Sequence, residues 1–234
     1  KDFKKLSLKN NIKFICGYNH IFTKCISEGK KILSRNVIGK IKSISSYNMV
    51  HWGVIFKAHP WLKGPHDSYL GFYKKGGGSL CEHSHGLNLL IHFINHLNLG
   101  KINKINSSIY FNKNNKINYD YVNFINFKTD KNVVSNLIQD VVTSPSIKKM
   151  HFQGEKGSME MILDFKKNLD AIIIKKNDKE KIIKFKKNRA KDFEGQVNFI
   201  TKELKTKKDS CKKIFNESIL TMQLICKAFQ YNKS

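Results

Sequence analysis

Apolar residues recur along this chain first at helical spacing, then at a period of two, then at helical spacing again. Residues 22–34 place Ile26, Ile32 and Leu33 on one face of an amphipathic helix. Residues 40–50 then alternate, with Ile41, Ser43 and Ser45 set against Lys42, Ile44 and Ser46, which predicts a strand. A second helix is predicted over 79–97, where Leu90, Phe93, Ile94 and Leu97 are spaced for burial and His85, Asn88, His92, Asn95 and His96 fall on the other side. Strands follow at 105–111, 118–129, 133–142, 149–154, 158–163, 171–175 and 182–185, the sharpest alternation running from Tyr119 to Phe127. Further helices close the chain, and residues 176–180 and 186–191 read as exposed loops. Strands grouped between helices predict an α+β fold: a large mixed, mostly antiparallel sheet with helices on one face and the other face open for oligomerisation.

Residues 52–78 are predicted to form a long loop, a length that in a compact domain goes with function. The loop holds Trp52, His59, Trp61, His66, Asp67 and Tyr69, side chains suited to sugar hydroxyls and ring faces. Trp52 and Trp61 serve equally well as core anchors for the loop. Its end, Gly76-Gly77-Gly78, feeds into Ser79-Leu80-Cys81-Glu82-His83-Ser84-His85, where a carboxylate and an imidazole stand three residues apart. On a continuous helix Glu82 and His85 lie roughly 60° apart on one face, while His83 turns to the apolar side with Leu87, Leu90 and Ile94. That is the layout of an acid/base pair. Ser79 and Glu82 also match a capping box, which competes for the carboxylate. Residues two apart on a helix point in nearly opposite directions, so Cys81, His83 and His85 are not expected to share a metal ion.

Composition narrows the classes. Lys and Arg total 43 against 18 Asp and Glu, a net charge of +25, but only Arg35 and Arg189 are arginine. Arginine is the residue that reads phosphates and bases bidentately, so specific nucleic-acid binding is not expected. Five widely spaced cysteines without a Cys-x-x-Cys argue for buried free thiols rather than a disulfide framework. No apolar run approaches the roughly 18 residues of a membrane span, and a cytoplasmic location is the default expectation.

The ordered series of motifs resembles one family. The glycine run with Glu82 and His85 resembles the glycine-rich loop and acid/histidine helix of the glucose-fructose oxidoreductase/inositol dehydrogenase (Gfo/Idh/MocA) family, with Glu82 where that family has Asp. Phe14 to Phe22, containing Gly17-Tyr18-Asn19, resembles the strand that closes its nucleotide domain. Ile38-Gly39-Lys40-Ile41, Trp61, Asp67-Ser68-Tyr69 and Phe152-Gln153-Gly154-Glu155-Lys156-Gly157-Ser158-Met159 follow in the family's order, and 193–200 and 218–229 match its last two helices. The Gly-x-Gly-x-x-Gly turn and Glu-Lys-Pro of the nucleotide half do not occur, and the chain begins at Lys1. The expectation is therefore a C-terminal piece. Residues 1–20 would be the end of a dinucleotide-binding domain, and 21–234 the substrate and oligomerisation domain.

The resemblance implies an NAD- or NADP-dependent oxidation or reduction of a sugar, nucleotide sugar or cyclitol, with the cofactor bound mainly by the missing half. It implies His85 as proton relay with Glu82 beside it, and substrate contacts from Asn19, Trp61, Asp67, Tyr69 and Asn88. Close approach of the nicotinamide would fall at Gly77 and Gly78, and a homodimer or tetramer would form through the sheet. The alternative is a non-catalytic sugar-binding or assembly module of the same fold.

Overall fold

The computed structural model describes residues 5, 6, 9, 12–187, 189–206 and 210–232, and only the backbone at 189, 191 and 192. Of the stretch 1–20, residues 1–4, 7, 8, 10 and 11 lie outside the described residues. Residues 12–18 run without regular secondary structure into a single turn, Asn19–Phe22.

Eight strands form one sheet in the order β2-β3-β4-β1-β5-β6-β7-β8. They are β1 Ile41–Met49, β2 Ile102–Lys113, β3 Asn118–Thr129, β4 Val134–Asp140, β5 Ile147–Gly154, β6 Gly157–Lys166, β7 Leu169–Lys176 and β8 Lys179–Lys186. Only the β1–β4 pair is parallel; every other pairing is antiparallel. The helices are α1 Lys24–Ser34, α2 Gly53–Ala58, α3 Gly78–Glu82, α4 His85–His96, α5 Arg189–Leu204 and α6 Cys211–Tyr231. The α+β architecture is the one read from the periodicity.

Burial follows the alternation. Ile125, Leu137, Met150, Phe152, Met159, Met161 and Ile172 join Ile26, Leu87, Leu90, Phe93 and Leu224 in one core between the sheet and the helices. Within it α1 packs on β6 and β7, α4 on β1 and β4, and α6 on β2. The opposite sheet face leaves Tyr110 and Phe124 about half exposed, edge to face with ring centroids 6.4 Å apart.

Four expectations need correction. In β1 the register shifts between Ile41 and Ser43, so Ile41 shares the buried side with Ile44, Ser46 and Asn48 rather than with Ser43 and Ser45. The long loop 52–78 is not structureless: it contains α2 and three single turns, and Trp52, Leu70, Tyr119 and Val141 form a small core that pins it to the sheet. Residues 176–180 are a tight hairpin. Asn177 and Asp178, with φ of 49° and 57°, make the two-residue turn between β7 and β8, whose twist matches that of the strands. Lys186 ends β8 and Arg189 already starts α5, so most of 186–191 is regular structure.

Candidate functional site

The helix predicted over 79–97 breaks at His83 and Ser84. The cause comes from β1, where Asn48 Nδ2 donates to the His83 carbonyl at 2.8 Å and so closes α3 from outside. Gly86 permits the approach, because a Cβ there would lie 2.7 Å from the Asn48 Cβ. The start of α3 is held from β3. The buried Asp120 Oδ2 accepts from Leu80 N at 2.7 Å and from Asn123 Nδ2 at 2.9 Å. Burial pushes the Asp120 carboxyl up to about 6 against the lowering effect of these bonds. Asp120 thus does from a neighbouring strand what the capping box was expected to do. Gly77 is the N-cap, and no side chain within α3 caps it.

The break separates the two residues placed together by helical spacing. Among the described residues no hydrogen bond or ion pair joins Glu82 to His85. Glu82 Oε2 instead accepts from the Tyr69 hydroxyl at 2.9 Å, which ties the loop to α3. His85 begins α4 and turns towards the segment before α1. Its ring lies 4.6 Å from that of His20, centroid to centroid, and meets Tyr18 edge-on at 5.3 Å. Tyr18 is anchored in turn, its hydroxyl donating to Ser84 Oγ at 3.2 Å. The His85 Nδ1 atom is buried and has no hydrogen-bond partner.

Burial, and then the field of Lys148 on β5, lowers His85 to about 4. Burial also holds His20 well below its ordinary value, with His85, Lys148 and Lys187 adding to the effect. Both imidazoles are therefore neutral at pH 7, and a neutral imidazole has a lone pair free to take a proton. His83 is not on the apolar stripe. It occupies the break, with its Nε2 3.2 Å from the Val50 carbonyl, and burial lowers it to about 4.

The remaining predicted residues scatter. Asn19 is buried in the turn just before His20. Asn88 is buried between helices and donates to Thr221 Oγ1 at 3.1 Å, so it serves the α4–α6 contact. Nearby, His92 Nδ1 and Glu217 Oε2 make a buried pair at 2.8 Å. Asp67 Oδ2 accepts from Lys63 N at 2.7 Å and closes its own turn. The two tryptophans part company: Trp52 is buried, whereas Trp61 is 71% exposed, its ring T-shaped to that of His59 at 5.1 Å.

Gly77 and Gly78 are explained by internal packing. A Cβ at Gly77 would lie 2.1 Å from the Tyr69 carbonyl oxygen, and one at Gly78 would lie 1.9 Å from Asp120 Oδ1. Among the described residues no group of three or more His, Cys, Asp or Glu side chains could hold a metal ion, and no helix is long and apolar enough to cross a membrane.

The site residues not singled out from sequence are Tyr18, His20 and Lys148. The first two lie inside the Gly17-Tyr18-Asn19-His20 segment, where only Asn19 drew attention. Lys148, one of many lysines, carries no local signal.

No protein-family model matches the chain, and no curated protein matches it in sequence. Its fold does match solved structures. An oxidoreductase candidate from Thermotoga maritima superposes with a TM-score of 0.74 at 14% identity, over 99% of this chain and 65% of that one. KijD10, a 3-ketoreductase from Actinomadura kijaniata solved with NADP, gives 0.68 at 11% identity, over 94% and 61%. An inositol dehydrogenase homologue from Azotobacter vinelandii, complexed with NADH and myo-inositol, gives 0.59 at 12%, over 79% and 45%. This chain spans less than two thirds of each. In fold, the chain therefore matches these solved oxidoreductase structures over the portion of them that it spans.

Proposed function

We propose that this chain is the substrate-side domain of an NAD(P)-dependent oxidoreductase acting on a hydroxyl or carbonyl of a sugar, nucleotide sugar or cyclitol. The observation that carries the reading is His85: a half-buried, neutral imidazole whose buried Nδ1 has no partner, set against His20 and Tyr18 at the start of α4. A base at that position accepts the proton of a bound hydroxyl as the carbon is oxidised, and returns it in the reverse direction. His20 orients the ring by contact, and its own neutrality keeps the pair from repelling. Tyr18, fixed by Ser84, closes the other side of His85.

Glu82 acts at a distance from this base. Bound to Tyr69, it shapes the loop that carries Trp61, whose exposed ring offers a stacking face to a sugar. The nicotinamide and its phosphates fall mainly to the part of the longer proteins that this chain does not span, with the backbone at Gly77 and Gly78 left for its close approach. A homo-oligomer through the exposed sheet face around Tyr110 and Phe124 completes the proposal.

The test is an assay of the gene product with NAD⁺ and NADP⁺ against a panel of aldoses, nucleotide sugars and cyclitols, in parallel with binding of the same compounds. Turnover that His85→Asn removes while binding persists is the expected result. Sugar binding with no turnover on either nucleotide would replace this reading by the non-catalytic module.

A further inference from the structure

Four side-chain oxygens lie without a hydrogen-bond partner beneath the start of α3: Ser79 Oγ, Asp120 Oδ1, Asn123 Oδ1 and Gln139 Oε1. All four residues are fully buried. Their other atoms tie them into one group. Asn123 Nδ2 donates to Asp120 Oδ2 at 2.9 Å, and Gln139 Nε2 donates to the Ser79 carbonyl. Asn123 and Gln139 stand directly opposite each other on β3 and β4, where facing side chains leave the strands roughly 5 Å apart. Gly78 approaches from the helix side, since a Cβ there would lie 1.9 Å from Asp120 Oδ1.

Both amide nitrogens are engaged, so the group is left with acceptors. The Ser79 hydroxyl has one hydrogen to give and can satisfy one of the other three oxygens; at least two remain. A water molecule supplies hydrogens but no charge. Asp120 is a carboxylate out of contact with solvent, and among the described residues no ion pair reaches it, although the chain carries a net charge of +25. A carboxylate so placed is costly unless a counter-charge, a metal ion or a proton joins it. Oxygen ligands select a hard cation. Calcium takes about six to eight oxygens, commonly from several carboxylates, whereas a single carboxylate among neutral oxygens balances one positive charge.

We propose that Ser79 Oγ, Asp120 Oδ1, Asn123 Oδ1 and Gln139 Oε1 bind a monovalent alkali cation, sodium or potassium, which fixes α3 to the sheet. Glu82 at the end of α3 holds Tyr69, so the ion also steadies the loop that carries Trp61. Without an alkali cation the Asp120 carboxyl keeps its raised value of about 6 and takes a proton instead.

The experiment melts the full chain at pH 7.5 in sodium, potassium or choline chloride at one fixed ionic strength, and in calcium chloride at the same ionic strength, for the wild type, Asp120→Asn and Ser79→Ala. At least one alkali cation is expected to raise the melting temperature of the wild type over choline by about 3 °C or more, with a saturating dependence on its concentration. Asp120→Asn should lose the rise. Ser79→Ala removes only a hydroxyl and keeps the fold, and it should move the half-effect to a cation concentration several-fold higher. The rise should also fade below pH 6, where the proton competes for Asp120. Identical curves in sodium, potassium and choline would overturn the proposal and leave these oxygens to water. A rise that persists in Asp120→Asn, or that Ser79→Ala leaves at the same half-effect, would place the ion elsewhere and overturn it equally. A larger rise in calcium, lost in Asp120→Asn, would overturn the monovalent assignment.

Discussion

The His85 ring lies 4.6 Å from the His20 ring, and burial holds both neutral. Two protonated imidazoles at that separation would repel in a poorly solvated place, so the pair is stable only while neutral. With the contacts of Tyr18 to His85 and Ser84, it joins the segment before α1 to the start of α4, where helical spacing had suggested a carboxylate–histidine pair.

If His85 is that acceptor, His85→Asn should lower turnover by about 10²-fold or more with little change in substrate affinity, the scale of losing a positioned general base. His83→Asn should leave turnover much nearer to wild type, because His83 faces the Val50 carbonyl in the helix break. Steady-state kinetics with melting curves on both variants separates the cases. Full activity in His85→Asn would remove the imidazole from the chemistry.

Acid should destabilise the fold early. His83 and His85 titrate at about 4 when folded and near 6.5 when unfolded, so the unfolded chain binds the extra protons in that window. Their stabilising contribution is complete above pH 6.5 and is lost as pH falls towards 4. Asp120 has the opposite sign: raised to about 6, it contributes fully below about 3.8 and loses that contribution as pH rises through 6. Two histidines outweigh one aspartate, and His20 adds to their side. The melting temperature should therefore fall from pH 7 to pH 4, and fall more steeply in Asp120→Asn. A flat profile over that range would contradict the desolvated, neutral state of these rings.

Gly78→Ala should cost more stability than Gly76→Ala. Both have positive φ, 81° and 88°, and each carries the left-handed penalty of about 1 kcal/mol. Only at Gly78 does the new methyl also meet Asp120 Oδ1, whereas nothing lies within 4 Å at Gly76. Urea unfolding of the two variants reads the difference, and equal midpoints would mean that Asp120 yields freely.

The sheet face opposite the helices should mediate self-association. Phe124→Asp beside Tyr110 should shift a dimer or larger species to monomer without lowering the monomer's own stability. Light scattering measures this. A wild-type chain that is already monomeric at high concentration would show that the face needs no partner.

The parts of this protein legible in its sequence are those set by local repetition. Alternation from Tyr119 to Phe127 reports a strand with one wet face because side chains in a strand alternate whatever the strand pairs with. The spacing of Leu87, Leu90 and Ile94 reports a buried helical stripe for the same kind of reason. His85 emerged from its place after a glycine run and from the resemblance that the run carries. What depended on tertiary structure was which groups meet. Helical spacing alone paired Glu82 with His85, but Asn48, 35 positions before His83, takes the His83 carbonyl and ends the helix between them. Asp120, 40 positions beyond Leu80, replaces the local cap. His20 and Lys148 reach His85 from a turn and from a strand far apart in the chain, and no pattern along the sequence records that approach. Periodicity encodes the face that a residue presents, because that depends on its own backbone. The partner on the other side of that face is chosen by packing, and only the folded chain contains it.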